Sequence, residues 1–101
     1  MSALQPISPK YNSGQTVSVS STAGVATIEK NNFNVVATNL GAKTAYVRVM
    51  GDTSTSASVA DFPILPSQQV ALTKVDKTKI GYICGGSDTT SLHIITGEGW
   101  L

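Results

Sequence analysis

Along most of the chain apolar residues recur at every second position, in short runs. "GQTVSVSS" (14–21) sets Val17 and Val19 against Thr16, Ser18 and Ser20, the pattern of a strand with one buried face. "GVATIEK" (24–30) brings Val25, Thr27 and Ile28 after the turn "STAG", and the separation of the two runs predicts a hairpin. "NNFNVVAT" (31–38) places Phe33, Val35 and Ala37 on one face. "TAYVRVM" (44–50) alternates Ala45, Val47 and Val49 with Tyr46, Arg48 and Met50 and is the clearest strand of all. Between these two runs "NLGAK" is a turn in which Gly41 is expected to take a positive φ. "QQVALTK", "KIGYICG" and "TSLHIIT" supply three further strands, separated by the turns "VDKT" and "GGSDTT".

Nowhere do apolar residues recur at helical spacing for long enough to make a helix. The fold predicted is therefore all-β: an antiparallel β-sandwich or small barrel, jelly-roll-like, of seven to eight short strands. Residues 1–13 hold Pro6 and Pro9 and lack periodicity, so they are expected to form an extended N-terminal arm ahead of one sandwich domain over 14–101. A chain of 101 residues suits a single core.

"DFPILPSQQVAL" (61–72) interrupts the alternation. Pro63 and Pro66 each lack a ladder donor, so no central strand is expected before Pro66. Phe62, Ile64 and Leu65 are apolar, and the segment is expected to cross one end of the core as a lid. Asp61, at the end of the loop "GDTSTSASVA", is expected to accept backbone N–H groups in a turn rather than to act in catalysis, which would require a positioned partner.

Composition narrows the function. Charged residues are 13% of the chain, about half the usual share, and Ser, Thr, Asn and Gln take their place. Such a surface suits close contact with other protein. Net charge is +1 and the basic residues are scattered; only Lys74, Lys77 and Lys79 fall together, and these are expected in a solvated loop. A dense positive face for nucleic acid is lacking. The N-terminal residues do not have the form of a signal peptide, and no apolar run is long enough to span a membrane as a helix, so synthesis in a cytoplasm is expected.

Candidate chemistry is sparse. Cys84 stands alone within an apolar strand pattern and is expected to be buried and inert. His93 is the one histidine and is expected on the face opposite Leu92 and Ile94. Drawn together across the "GGSDTT" turn, Cys84 and His93 would be a nucleophile and base; a packed thiol and an outward histidine is the simpler reading. Asp52, Asp61, Asp76 and Asp88 fall in separate loops, without calcium-loop spacing. No G-x-S-x-G elbow occurs. We therefore expect no catalytic residues, no cofactor, no metal and no small-molecule substrate. For a carbohydrate- or receptor-binding module the aromatic candidates would be Tyr11, Tyr46, Tyr82 and Trp100, with Tyr82 expected in the core. "GEGWL" places Trp100 and Leu101 where burial against a neighbour is favourable. Together with the arm, this makes Pro6, Ile7, Pro9, Tyr11, Trp100 and Leu101 the candidate interface residues.

Over residues 37–101 the order of motifs resembles small virion accessory proteins of tailed phages. The matching features are an N-x-G turn before "AYVR", an acidic residue before "P-I-x-P", and a closing "T-x-G-E-G". Ser67 departs from the pattern, standing where glycine is expected after the second proline. The resemblance implies a capsid cement (decoration) protein, a homotrimer on the virion surface that binds the major capsid protein lattice. A tail-fibre-base or spike-associated protein is the other member of that group it allows.

Overall fold

The structure is a computed structural model and describes residues 7–9, 13–51 and 56–99. Among these the chain forms nine strands and no helix: β1 (Ile7–Pro9), β2 (Gln15–Val19), β3 (Gly24–Thr27), β4 (Asn34–Asn39), β5 (Ala45–Met50), β6 (Phe62–Ile64), β7 (Gln69–Thr73), β8 (Lys79–Cys84) and β9 (Thr90–Gly99).

The pairing is nested. β2 pairs with β9, β3 with β8, β4 with β7 and β5 with β6, all antiparallel. The chain thus doubles back as one long hairpin between β5 and β6. It is then rolled up, so that β4 also pairs with β9 and β5 with β8. Two sheets result, one in the order β2-β9-β4-β7 and the other β3-β8-β5-β6. This is a jelly-roll sandwich. β1 pairs with the far end of β9, on the same edge as β2, so part of the expected arm continues that edge. With β1 and β2 as one interrupted edge, each sheet has four strand positions and the sandwich eight. Where the edge breaks, the Ser13 hydroxyl donates to the Thr96 carbonyl and accepts from its N–H.

Alternation fixes which face of each strand is buried. Val19, Val35, Ala37, Val47, Ile80, Leu92 and Ile94 meet between the sheets, with Ala45, Ile64 and Cys84. At about 25 cal/mol per Å² of apolar surface, this burial is the main source of stability. β2 and β3 do not form the expected hairpin. They lie in different sheets, and "STAG" carries the chain from one to the other. That side is stitched by side chain and backbone: Gln15 Nε2 donates to Thr27 O (2.9 Å) and Cys84 N to Ser20 O (2.8 Å).

"DFPILPS" does turn a corner, though not as a lid. β6 is an edge strand of the second sheet, where Pro63 costs no central ladder bond. Ile64 enters the core, while Phe62 and Leu65 stay half-exposed because an edge strand has a neighbour on one side only. Phe33 is also exposed; it precedes β4, and its carbonyl accepts from the N–H groups of Lys74 and Val75. The chain at Ala57 lies over the outside of the second sheet. Ala57 is buried there against the flank of Gly81, where a methyl group would lie 2.6 Å from Met50 Cε. Met50, which alternation sets opposite Val47 and Val49, is buried there beside Gly81.

At the end of the sandwich carrying turns 40–44 and 65–68, one amide organises the backbone. Asn39 is fully buried. Its Nδ2 donates to Lys43 O (2.7 Å) and Ile64 O (2.9 Å), and its Oδ1 accepts from Gly41 N (3.0 Å) and Thr90 Oγ1 (2.7 Å). Its own N–H donates to Gln68 O and its carbonyl accepts from Ser67 N. Gly41 is required here by space rather than by φ. It has no positive φ, but a side chain would run into Thr90, whose Cα lies 3.1 Å from where a Cβ would sit.

Two turns carry strain. Gln68 N donates to Leu65 O across Pro66-Ser67, and Ser67 takes φ 64, the position where a type II turn favours glycine. In the β7–β8 turn Val75 takes φ 55, which a β-branched residue rarely adopts.

Two outcomes follow. Asn39→Ala leaves two carbonyls, an N–H and a hydroxyl without their partner. It should lower stability by about 3 kcal/mol, a Tm fall of more than roughly 10 °C by calorimetry. Ser67→Gly and Val75→Asn should each raise stability by about 0.5–1 kcal/mol in chemical denaturation, because they relieve left-handed backbone strain at little loss of burial.

Candidate functional site

The groups with chemical potential are kept apart by the two sheets. Cys84 lies on the inner face of β8, with its thiol 3.9 Å from Val19 O. Burial, and secondarily the charge of Asp88, pushes the thiol pKa up, away from the reactive thiolate. His93 lies on β9 in the other sheet, between Leu92 and Ile94, which both point into the core. Its ring lies beneath the chain at Gly14, where a methyl group would come within 3.0 Å of Nε2. A cross-strand Cys84–His93 pair is therefore not formed. The strands that follow and precede "GGSDTT" belong to different sheets, and the two side chains face opposite ways.

Asp61 serves the turn as expected. Its Oδ2 accepts from Ser58 N (2.7 Å), Asp61 N donates to Ser58 O (3.0 Å), and Oδ1 lies 3.5 Å from Arg48 Nε. Among the described residues no group of three His, Cys, Asp or Glu side chains is placed to hold a metal ion. No helix among them is long and apolar enough to cross a membrane.

Lys74 overturns the expectation of a solvated lysine loop. Its side chain is the largest fully buried one among the described residues, 1% exposed. Nζ donates to the carbonyls of Lys30 (3.3 Å), Val75 (3.3 Å) and Lys77 (3.1 Å), tying the β3–β4 connection to the β7–β8 turn. Desolvation lowers its pKa, opposed by the charges of Glu98, Asp76 and Glu29. A perturbed amine often marks a reactive site. Here the amine is covered and saturated with backbone acceptors, so its work is structural. Nothing in "LTKVDKT" separates this lysine from Lys77; the distinguishing feature is the strained turn at Val75, which points the chain back over the amine.

What remains available is surface. On the outer face of the β2-β9-β4-β7 sheet, alternation sets out Thr16, Ser18, Ser91, His93, Thr38, Gln69 and Thr73, with Ile95, Val36 and Ala71 as a half-buried apolar row across its middle; the face carries no charge, and Gln69 Nε2 donates to Thr38 Oγ1. Leu40 (58% exposed) and Leu65 (53%) stand on the two turns that Asn39 holds together. The sequence reading missed Leu40; an apolar residue inside an N-x-G turn was the available signal. Tyr82 packs against the core as expected, its ring over Gly24 on the neighbouring strand, and Tyr46 is half-buried. Of the candidate interface residues, Ile7 and Pro9 lie in β1, opposite Gly99 and Gly97. Pro6, Tyr11, Trp100 and Leu101 lie outside the described residues.

No family model matches the chain, and no curated protein matches it. Among solved structures the fold is similar to a protein of Bacillus endospore appendages, reported as a novel family of disulfide-linked pili. The TM-score is 0.52, with 7% identity over 98% of this chain and 93% of that one. At that identity the likeness is one of fold.

The buried lysine gives a test. Its folded pKa lies below 10.5, so between the two values the unfolded chain binds more protons and stability rises with pH. Lys74→Met should cost about 1–3 kcal/mol near neutral pH through the lost hydrogen bonds. The gap between wild type and variant, measured by urea unfolding, should widen as pH approaches 10.5.

Proposed function

We propose that this chain is a structural subunit that acts by surface docking. In its most specific form it is a capsid cement (decoration) protein of a tailed phage, binding the major capsid protein lattice as a homotrimer and stabilising the head. The observation that carries the reading is the contrast between an inert interior and a neutral exterior. Cys84, His93 and Asp61 stand apart, while a hydroxyl-rich sheet face and the apolar Leu40 and Leu65 are open to a partner. The jelly roll recurs in viral shells and also in lectins, so the fold supports the reading only by analogy. A protein that binds only the assembled lattice stabilises it as the logarithm of its concentration over Kd. Several weak contacts per oligomer give avidity without a deep pocket.

A second reading is favoured by the likeness to the Bacillus endospore pilus protein: a subunit of an extracellular fibre. Those pili are disulfide-linked. Cys84 is sealed in the core, so a fibre of this chain would rest on non-covalent contact between the described residues, or on β8 opening.

Purified protein added to expanded empty heads should cosediment with them and raise their melting temperature, at a copy number matching the lattice. Absence of binding, with filaments in negative-stain images of the concentrated protein alone, would replace the first reading by the second.

A further inference from the structure

Among the described residues the sandwich has several free strand edges, and some of them carry features that blunt them. At the β1/β2 edge Pro9 offers no donor, and Ser20 O is taken by Cys84 N. At β3 the Thr27 carbonyl is taken by Gln15 Nε2. At β6 Pro63, whose N points outward, offers no donor. Proline and occupied carbonyls are the means by which sheets resist edge-to-edge pairing. β7, "QVALT", has neither proline nor charge, and it ends the order of its sheet.

The hydrogen-bond phase of β7 follows from its flanks. Lys74 N donates to Phe33 O and Asn39 N to Gln68 O, so in this antiparallel register the residues bonded to β4 are Val70 and Leu72. The N–H and C=O groups of Gln69, Ala71 and Thr73 therefore point away from β4, along the free edge. A two-fold axis through Ala71 would set Ala71 opposite its own copy and Gln69 opposite Thr73 on the outer face. Val70 would face Leu72 on the inner face, where both are still only half-buried. Polar meets polar, apolar meets apolar, and no charges oppose one another.

The geometry points to self-association through this edge: β7 of one copy pairs antiparallel with β7 of a second, joining two four-position sheets into one. The partner is another copy of this chain. The contact goes beyond the proposed docking to a lattice and does not depend on it. Being two-fold, it also leaves a three-fold contact elsewhere on the molecule free to form.

The test uses the isolated full chain in sedimentation equilibrium over a wide concentration series, with no heads present. Ala71→Lys places two like charges face to face across the axis. Ala71→Pro removes a donor that β4 does not use, and keeps the readout if the lysine variant folds poorly. The wild type should reach twice the mass of either variant, whose circular dichroism should be unchanged. Amide exchange at Ala71 and Thr73 should slow with rising wild-type concentration, while that at Val70 and Leu72 stays slow throughout. A wild type that keeps the mass of the variants at every concentration would overturn the inference. So would a doubled mass that survives both substitutions, or edge amides that exchange freely in the heavier species. Loss of head binding in the cement assay alone would leave the contact standing.

Discussion

The side-chain amide of Asn39 is where the rolled hairpin is locked to itself. A chain wound this way must bring turns 40–44 and 65–68 and the start of β9 to one place, and each arrives with backbone groups that no ladder satisfies. An amide has two donors and an acceptor oxygen with two lone pairs, and Asn39 uses all of them. Aspartate would keep the shape and lose both donations, while an apolar residue would leave every partner buried and unpaired. The nearness of Thr90, which Asn39 needs, is also what forbids a side chain at Gly41. The N-x-G turn is thus a packing unit: its first residue binds, and its last makes room.

The strands were legible because burial follows alternation. Val17 and Val19, Ala45 and Val47, and Leu92 and Ile94 all face inward as the period of two requires. Partners were not legible. A period of two says which face of a strand is buried and nothing of which strand lies beside it, so β2 and β3 read as a hairpin although a sheet change separates them. Phe33, placed on one face with Val35 and Ala37, and Phe62 and Leu65, expected in a lid over the core, are exposed for a related reason: apolar character is local, while exposure at an edge or a strand entrance is set by topology. The departure at Ser67 was visible in the sequence, and it coincides with a left-handed backbone.

The reactive residues were read more securely than the surfaces. That Cys84 packs and His93 faces outward follows from the parity of their positions in β8 and β9. Lys74 was misjudged because its burial depends on the fold of the turn after it. A lysine whose amine can reach three carbonyls at once is held inside by them, and the neighbouring carboxylates of Glu98, Asp76 and Glu29 temper the cost of its charge. Interior and exterior are therefore divided by hydrogen-bond supply as much as by hydrophobicity.

The nesting also sets an order of events during synthesis. β9 follows β1, β2 and β4 in the chain yet is the strand all three pair with. Until the ribosome has extruded it, that half of the sandwich has no centre, whereas β3, β5, β6 and β8 can already meet as a sheet once β8 emerges. The nascent chain must carry Val19, Val35 and Ala37 uncovered through that interval, so the hydroxyl-rich character of its strands keeps it soluble at the stage when it is most exposed to its neighbours.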